Sequence, residues 1–152
     1  MLTENTKVKD FTLKDENGED WTLSDHLGKK IVLYFYPKDE TPGCTTQACE
    51  FRDNYHRFKE VDVDVVGISA DSVESHKAFK ENHDLPFTLL ADENRDVISY
   101  FGAYGEKNIF GKMKMGIMRA TFIINEAGEI EKVYEKASPA KNAGKIIDYL
   151  TN

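Results

Sequence analysis

The sequence runs to 152 residues, 40% hydrophobic and 31% charged, with a net charge of -7 at neutral pH. That size and balance suit a single domain over 1–152 with a real core, and the acidity excludes a nucleic-acid partner, which would need a basic face. The longest apolar run falls far short of a membrane span and Met1–Lys7 lacks the apolar centre of a secretion signal, so the expectation is a cytoplasmic chain, where a disulfide is transient rather than structural.

Val8 to Leu13 alternates weakly, and the turn-forming stretch from Asp15 to Asp20 leads into Trp21, Thr22 and Leu23, which predicts an N-terminal β-hairpin with Trp21 as core filling. Ser24 to Leu27, ended by Gly28, is at most one helical turn. Ile31 to Tyr36 is an unbroken apolar and aromatic run stopped by Pro37, the pattern of a strand buried on both faces. Thr41, Pro42 and Gly43 then mark a helix start, with Thr41 as N-cap and Pro42 at the first helical position. From Cys44, the apolar residues Ala48, Phe51, Tyr55 and Phe58 follow at helical spacing, so one helix is expected to reach about Phe58.

Val63 to Ser69 reads as a second buried strand, and strand, helix and strand in this compass imply a right-handed parallel unit. A helix from about Ser72 to His83 follows, with Asp71 and Glu74 spaced as a capping box. Phe87 to Leu90 is a short strand and Glu93 to about Tyr100 a helix closed near Gly102. Residues 103–118 carry Gly105, Gly111 and Gly116 among Lys107, Lys112 and Lys114 without a period, so a loop is expected; the glycines fit no phosphate-binding spacing. Ala120 to Asn125 and Ile130 to Tyr134 form an antiparallel hairpin, and Pro139 opens a last helix whose buried stripe is Ala143, Ile146, Ile147 and Leu150. The sum is an α/β sandwich, whose sites lie at the carboxyl ends of strands.

Two cysteines fall at such a place. Cys44 is in the first turn of the helix after the Ile31–Tyr36 strand, where unpaired N–H groups and a partial positive charge favour thiolate over thiol. It is a candidate nucleophile, or else a small buried hydrophobe. Cys49, five residues on, would lie about 140 degrees round the helix and about 7.5 Å along it, leaving the Cα atoms roughly 8.7 Å apart, beyond the roughly 7 Å a disulfide tolerates. If the two react together, the helix must unwind, which suits a catalytic cycle better than a staple closing so short a loop. A zinc site is excluded: two cysteines at the wrong spacing stand with His26, His56, His76 and His83 scattered.

The stretch Pro37-x-x-x-Thr41-x-x-Cys44 resembles the active-site pattern of the peroxiredoxins, and Arg119 before Ala-Thr-Phe-Ile-Ile-Asn resembles that family's active-site arginine. A second cysteine five residues on, in a short chain, is similar to the bacterioferritin comigratory protein, or Q-type, branch. The resemblance spans nearly the whole chain. It implies a thioredoxin-like three-layer fold with a mixed sheet. It also implies a thiol peroxidase acting on hydrogen peroxide and organic hydroperoxides, with Cys44 peroxidatic, Cys49 resolving, thioredoxin or a similar dithiol as reductant, and no cofactor or metal. The C-terminal resolving cysteine of the family's obligate dimers is absent, so a monomer is expected.

Acidity alone does not make such a thiol fast. A pKa lowered from about 8.5 to about 6 raises the thiolate fraction at neutral pH roughly thirtyfold, but a Brønsted coefficient of about 0.45 takes back roughly thirteenfold. Groups that bind the stretching O–O bond must supply the rest. Thr41, Arg119 and the first-turn N–H groups are the candidates, with Pro37 excluding water. The rival readings are a disulfide reductase, which would normally show Cys-x-x-Cys, and a thioredoxin-fold sensor or binding module without turnover.

Overall fold

The computed structural model describes residues 1–152. β1 (Thr12–Lys14) and β2 (Asp20–Thr22) make the N-terminal hairpin, followed by a 3-10 turn at Leu23–His26. β3 (Lys30–Phe35) leads into α1 (Pro42–Asp53), α2 (Tyr55–Glu60) and β4 (Val63–Ser69). α3 (Val73–His83), β5 (Thr88–Ala91) and α4 (Asp96–Phe101) come next. β6 (Tyr104–Ile109), β7 (Lys112–Ile117), β8 (Thr121–Ile124), β9 (Ile130–Tyr134) and α5 (Asn142–Thr151) complete the chain.

Seven strands form one sheet in the order β2-β1-β5-β4-β3-β8-β9. β4 runs parallel to both β3 and β5, and the remaining pairs are antiparallel, so the sheet is mixed. The period of two along β3 builds the layers. Ile31, Leu33 and Phe35 enter a core with Trp21, Val97, Ile98 and Phe101, under α4. Val32, Tyr34 and Tyr36 enter the opposite core with Phe51, Phe58, Phe79, Ile146 and Ile147, under α1, α2, α3 and α5. All six of these β3 and flanking residues are fully buried, which is why the run carries no charged residue.

Four expectations are corrected. The helix expected to reach Phe58 breaks at Asn54, whose backbone leaves the helical region (φ -103, ψ 5) while its side-chain amide donates to the Glu50 carbonyl at 2.9 Å. The apolar stripe survives the break because α2 restarts at once, with Phe58 buried. Asp71 does not cap α3. Ser72 does, its Oγ accepting from the Ser75 N–H at 3.1 Å, and Asp71 is engaged elsewhere. The last helix begins at Asn142, not Pro139, and Leu150 is only partly buried.

Residues 103–118 are not a loop but the β6–β7 ribbon, paired from Tyr104↔Ile117 to Ile109↔Lys112. Its two-residue turn places Phe110 (φ 52) and Gly111 (φ 80) both in the left-handed region, the geometry that matches strand twist in tight hairpins.

Candidate active site

β3 ends at Phe35, and the chain turns through Pro37–Glu40 before α1. Thr41 is extended (φ -81, ψ 153) and caps the helix by its backbone, its carbonyl accepting from the Thr45 N–H at 2.9 Å. The side chain does otherwise than expected: Oγ1 donates to the Lys38 carbonyl at 2.7 Å and makes no cap bond. Cys44 is the third helical residue and 1% exposed. The N–H groups of Gly43 and Cys44 precede the first helical bond, from Thr45 to Thr41, and so have no partner within the helix.

Arg119 lies in the bend between β7 and β8. β8 is the antiparallel neighbour of β3, and the Phe35 N–H donates to the Ala120 carbonyl at 2.8 Å, so the arginine emerges beside the carboxyl end of β3. Both of its terminal nitrogens, Nη1 and Nη2, stand 3.5 Å from Cys44 Sγ. Nη1 also donates to Gln47 Oε1 at 2.8 Å. Gly43 makes room for this fork, since a Cβ there would stand 3.2 Å from Nη2.

The fork is held from behind by residues the sequence did not single out. The buried Gln47 donates from Nε2 to Asn142 Oδ1 at 3.3 Å, and Thr121 Oγ1 donates to the same oxygen at 2.9 Å. A guanidinium so bound keeps its donors fixed on the sulfur. Lys107 is a further cation nearby. Its Nζ donates to the Ile117 carbonyl at 2.8 Å, and burial pulls its pKa down, as does the like charge of Arg119, while negative charge at Cys44 opposes both.

Pro37 is half-buried and lines a cavity of about 430 Å³ with Tyr104, Lys107, Met115 and Ile117. Arg119 lines another, of about 450 Å³, with Lys107, Met118 and Ala137. The β6–β7 ribbon thus walls the approach to Pro37 and Arg119.

A second polar cluster anchors the Pro37–Glu40 turn. The buried Asp39 carboxylate accepts from Tyr36 Oη at 2.6 Å and Ser75 Oγ at 2.8 Å, and its Oδ2 lies 2.7 Å from His76 Nδ1. His76 Nε2 is 2.9 Å from the Leu90 carbonyl, so the ring bridges Asp39 and β5. Asp71 accepts from the Asp39 N–H at 2.8 Å and from Ser69 Oγ at 2.6 Å. Asp39, Asp71 and His76 thus converge, but their polar atoms are engaged with protein groups. The cluster is a brace between the turn, α3 and β5.

Beneath α1 the Tyr34 ring stacks on Phe51 at 4.7 Å and on Tyr36 at 5.4 Å. Gly67 across the strand pair admits it, because a Cβ there would stand 2.9 Å from Tyr34 Cζ. The Tyr34 hydroxyl is buried and meets no hydrogen-bonding partner. Burial pushes its pKa well above the usual value, and negative charge at Cys44 and Asp39 adds to the effect.

Cys49 lies on the same helix, partly exposed, and both thiols are free. One continuous helix therefore separates the sulfurs, with Cα atoms roughly 8.7 Å apart by helical geometry. The structure brings Arg119 to Cys44 and sets Thr41 and Pro37 on the turn before it; it does not bring Cys49 to Cys44.

The profile of the AhpC/TSA family matches residues 5–133. Peroxiredoxin Bcp of Bacillus subtilis is 46% identical over 95% of this chain and 92% of its own, and Peroxiredoxin Bcp of Escherichia coli is 43% identical over 92% and 90%. Among solved structures, the bacterioferritin comigratory protein of Xanthomonas campestris, described with an alkyl peroxide reduction activity, superposes with a TM-score of 0.88 at 33% identity, covering 93% of this chain and 90% of that one. A PrxQ of Xylella fastidiosa superposes with a TM-score of 0.94 at 28% identity over 99% and 96%. Sequence, thioredoxin-like fold and a buried cysteine facing an arginine fork agree: the chain belongs to the AhpC/TSA family and is a peroxiredoxin, a thiol peroxidase.

Proposed function

We propose that Cys44 is the peroxidatic cysteine, and the observation that carries this is the pair of Arg119 nitrogens at 3.5 Å from its buried sulfur at a helix start. The Cys44 thiolate attacks one oxygen of a hydroperoxide ROOH. The O–O bond breaks, sulfur is oxidised to the sulfenic acid, and the departing alkoxide takes a proton and leaves as ROH, or as water from hydrogen peroxide.

Arg119 holds the thiolate and meets the negative charge that grows on the peroxide oxygens, so its bonds strengthen toward the transition state. The Thr41 hydroxyl has committed its hydrogen to Lys38, so toward the substrate its oxygen acts as acceptor for the hydroperoxide O–H. Pro37, on the turn that leads into α1, has in this reading the role of keeping water from one flank of the sulfur.

Cys49 is the resolving cysteine in this reading. Its thiol condenses with the Cys44 sulfenic acid, forming an S–S bond and releasing water, after α1 has unwound far enough for the sulfurs to meet. A thioredoxin-type dithiol then reduces the disulfide and is itself oxidised. Both cysteines lie on one chain, so the cycle needs no second subunit, and the monomer is the working unit. No helix is long and apolar enough to cross a membrane, and we place the cycle in the cytoplasm, where such dithiol reductants keep thiols reduced.

Mass spectrometry after one equivalent of hydrogen peroxide tests the scheme, with and without prior alkylation. The expected product is a chain lighter by two hydrogens, with a peptide linking Cys44 to Cys49 and no covalent dimer. A stable sulfenic acid with Cys49 still free, or a dimer linked between chains, would remove Cys49 from the role.

A further inference from the structure

Tyr34 is the one buried side-chain polar group of this protein without a partner, and it lies where the catalytic cycle has to deform the fold. Its ring sits in the core cluster that α1 closes with Cys44, Ala48 and Phe51, stacked on Phe51 at 4.7 Å. It occupies β3 beside Gly67 of β4 and Thr121 of β8. Tyr36, Phe51 and Phe87 pack against the ring and Gly67 lies beside its hydroxyl end, so the hydroxyl is held in the core while α1 is wound.

A buried hydroxyl without a partner destabilises the state that buries it, because the hydrogen bonds it had with water are not replaced. That state is the wound helix. Cys44 and Ala48 belong to the same core cluster as the ring, and Phe51, which stacks on it, follows on the same helix, so opening α1 between Cys44 and Cys49 loosens that cluster and lets water and freed backbone groups reach the hydroxyl. The penalty is then relieved.

We propose that Tyr34 sets the balance between wound and unwound α1, its unpartnered hydroxyl lowering the barrier to the Cys44–Cys49 disulfide. This rests on the resolving role given to Cys49 above. Tyr34 is a tuning residue of the resolution step and takes no part in the attack on peroxide.

The chemical consequence is a partition of the sulfenic acid. In one branch Cys44–SOH and Cys49–SH give the disulfide and water. In the other, Cys44–SOH meets a second hydroperoxide, sulfur is oxidised to the sulfinic acid Cys44–SO₂H, and ROH leaves. The longer α1 stays wound, the more chains take the second branch.

Tyr34→Phe deletes the hydroxyl and keeps the ring, so the stacking on Phe51 and the fit over Gly67 remain. Rapid-mixing kinetics with quench and mass spectrometry would follow sulfenic acid, disulfide and sulfinic acid in the wild type and in Tyr34→Phe. The expected result is an unchanged rate of peroxide consumption per Cys44 and disulfide formation slower by about five- to a hundredfold. The sulfinic fraction at high peroxide rises in proportion.

A merely structural tyrosine would change the melting temperature and leave the disulfide rate alone. An unchanged disulfide rate in Tyr34→Phe, with the wild type still forming the Cys44–Cys49 bond, overturns the inference. A wild type that never forms that bond overturns instead the resolving role on which it stands.

Discussion

Cys44→Ser is expected to consume no peroxide, whereas Cys49→Ser consumes one equivalent and then stops or waits for an outside thiol. The asymmetry follows from what each sulfur faces. Cys44 is buried in the first turn of α1 against the Arg119 fork, so in the proposed cycle removing its sulfur removes the nucleophile, and serine's oxygen is far too basic to ionise there at neutral pH. Cys49 touches none of those groups and sits partly exposed on the helix. Its loss leaves the first chemical step intact and blocks only the regeneration of a form that thioredoxin can reduce. Stopped-flow consumption of hydrogen peroxide, followed by steady-state turnover with thioredoxin, its reductase and NADPH, separates the two. Full thioredoxin-driven cycling by Cys49→Ser would refute the resolving assignment, and peroxide consumption by Cys44→Ser would refute the whole site.

Arg119→Ala is expected to slow the peroxide step by about a hundred- to a thousandfold, the usual cost of losing a preorganised donor to developing charge. Two N–H groups aimed at one sulfur make the larger end of that range the better expectation. Lysine at this position should recover only part of the rate, because a single ammonium cannot reproduce the fork that also binds Gln47. Reduction of the disulfide by a dithiol should be nearly untouched, since the proposed cycle opens α1 in that state and draws the sulfur away from the guanidinium. Equal slowing of both half-reactions would make Arg119 a structural residue.

The sheet was legible because its strands obey strong patterns. The run from Ile31 to Tyr36 has the pattern of a strand buried on both faces, and Thr41-Pro42-Gly43 that of a helix start, so the sequence itself places Cys44 in the first helical turn. Arg119 became legible through a family pattern and not through spacing, because a lone arginine before a strand has no signal of its own. The β6–β7 ribbon was missed for a physical reason. Lys112 to Ile117 alternates polar and apolar, but its partner Tyr104–Ile109 does not, Met113 and Met115 face solvent rather than a core, and the ribbon pairs only with itself, so the alternation points to no buried face.

The brace behind the site was hidden for a different reason. Asp39, Gln47, His76 and Asn142 look like surface residues in the sequence, and only the fold shows that each is buried and satisfied. Asp71 misled because its spacing to Glu74 copies a capping box, while its carboxylate serves the Asp39 N–H and the Ser69 hydroxyl. A helix pattern also cannot register one residue such as Asn54, which breaks the backbone without breaking the apolar stripe. Tyr34 read as one more aromatic in a buried strand, and nothing in its neighbours in sequence marks its hydroxyl as unpaired.

Amide hydrogen exchange across Pro42–Asp53 tests the central mechanical claim most directly, because the helix that separates the two sulfurs has to open for them to bond. In the reduced protein the amides from Thr45 onward should be protected as in any packed helix. After one equivalent of peroxide, protection between Cys44 and Cys49 should collapse, while β3 and β4 beneath keep theirs, and a dithiol should restore it. Identical protection before and after, with the disulfide shown to be present, would mean that the sulfurs meet without unwinding and would contradict the account.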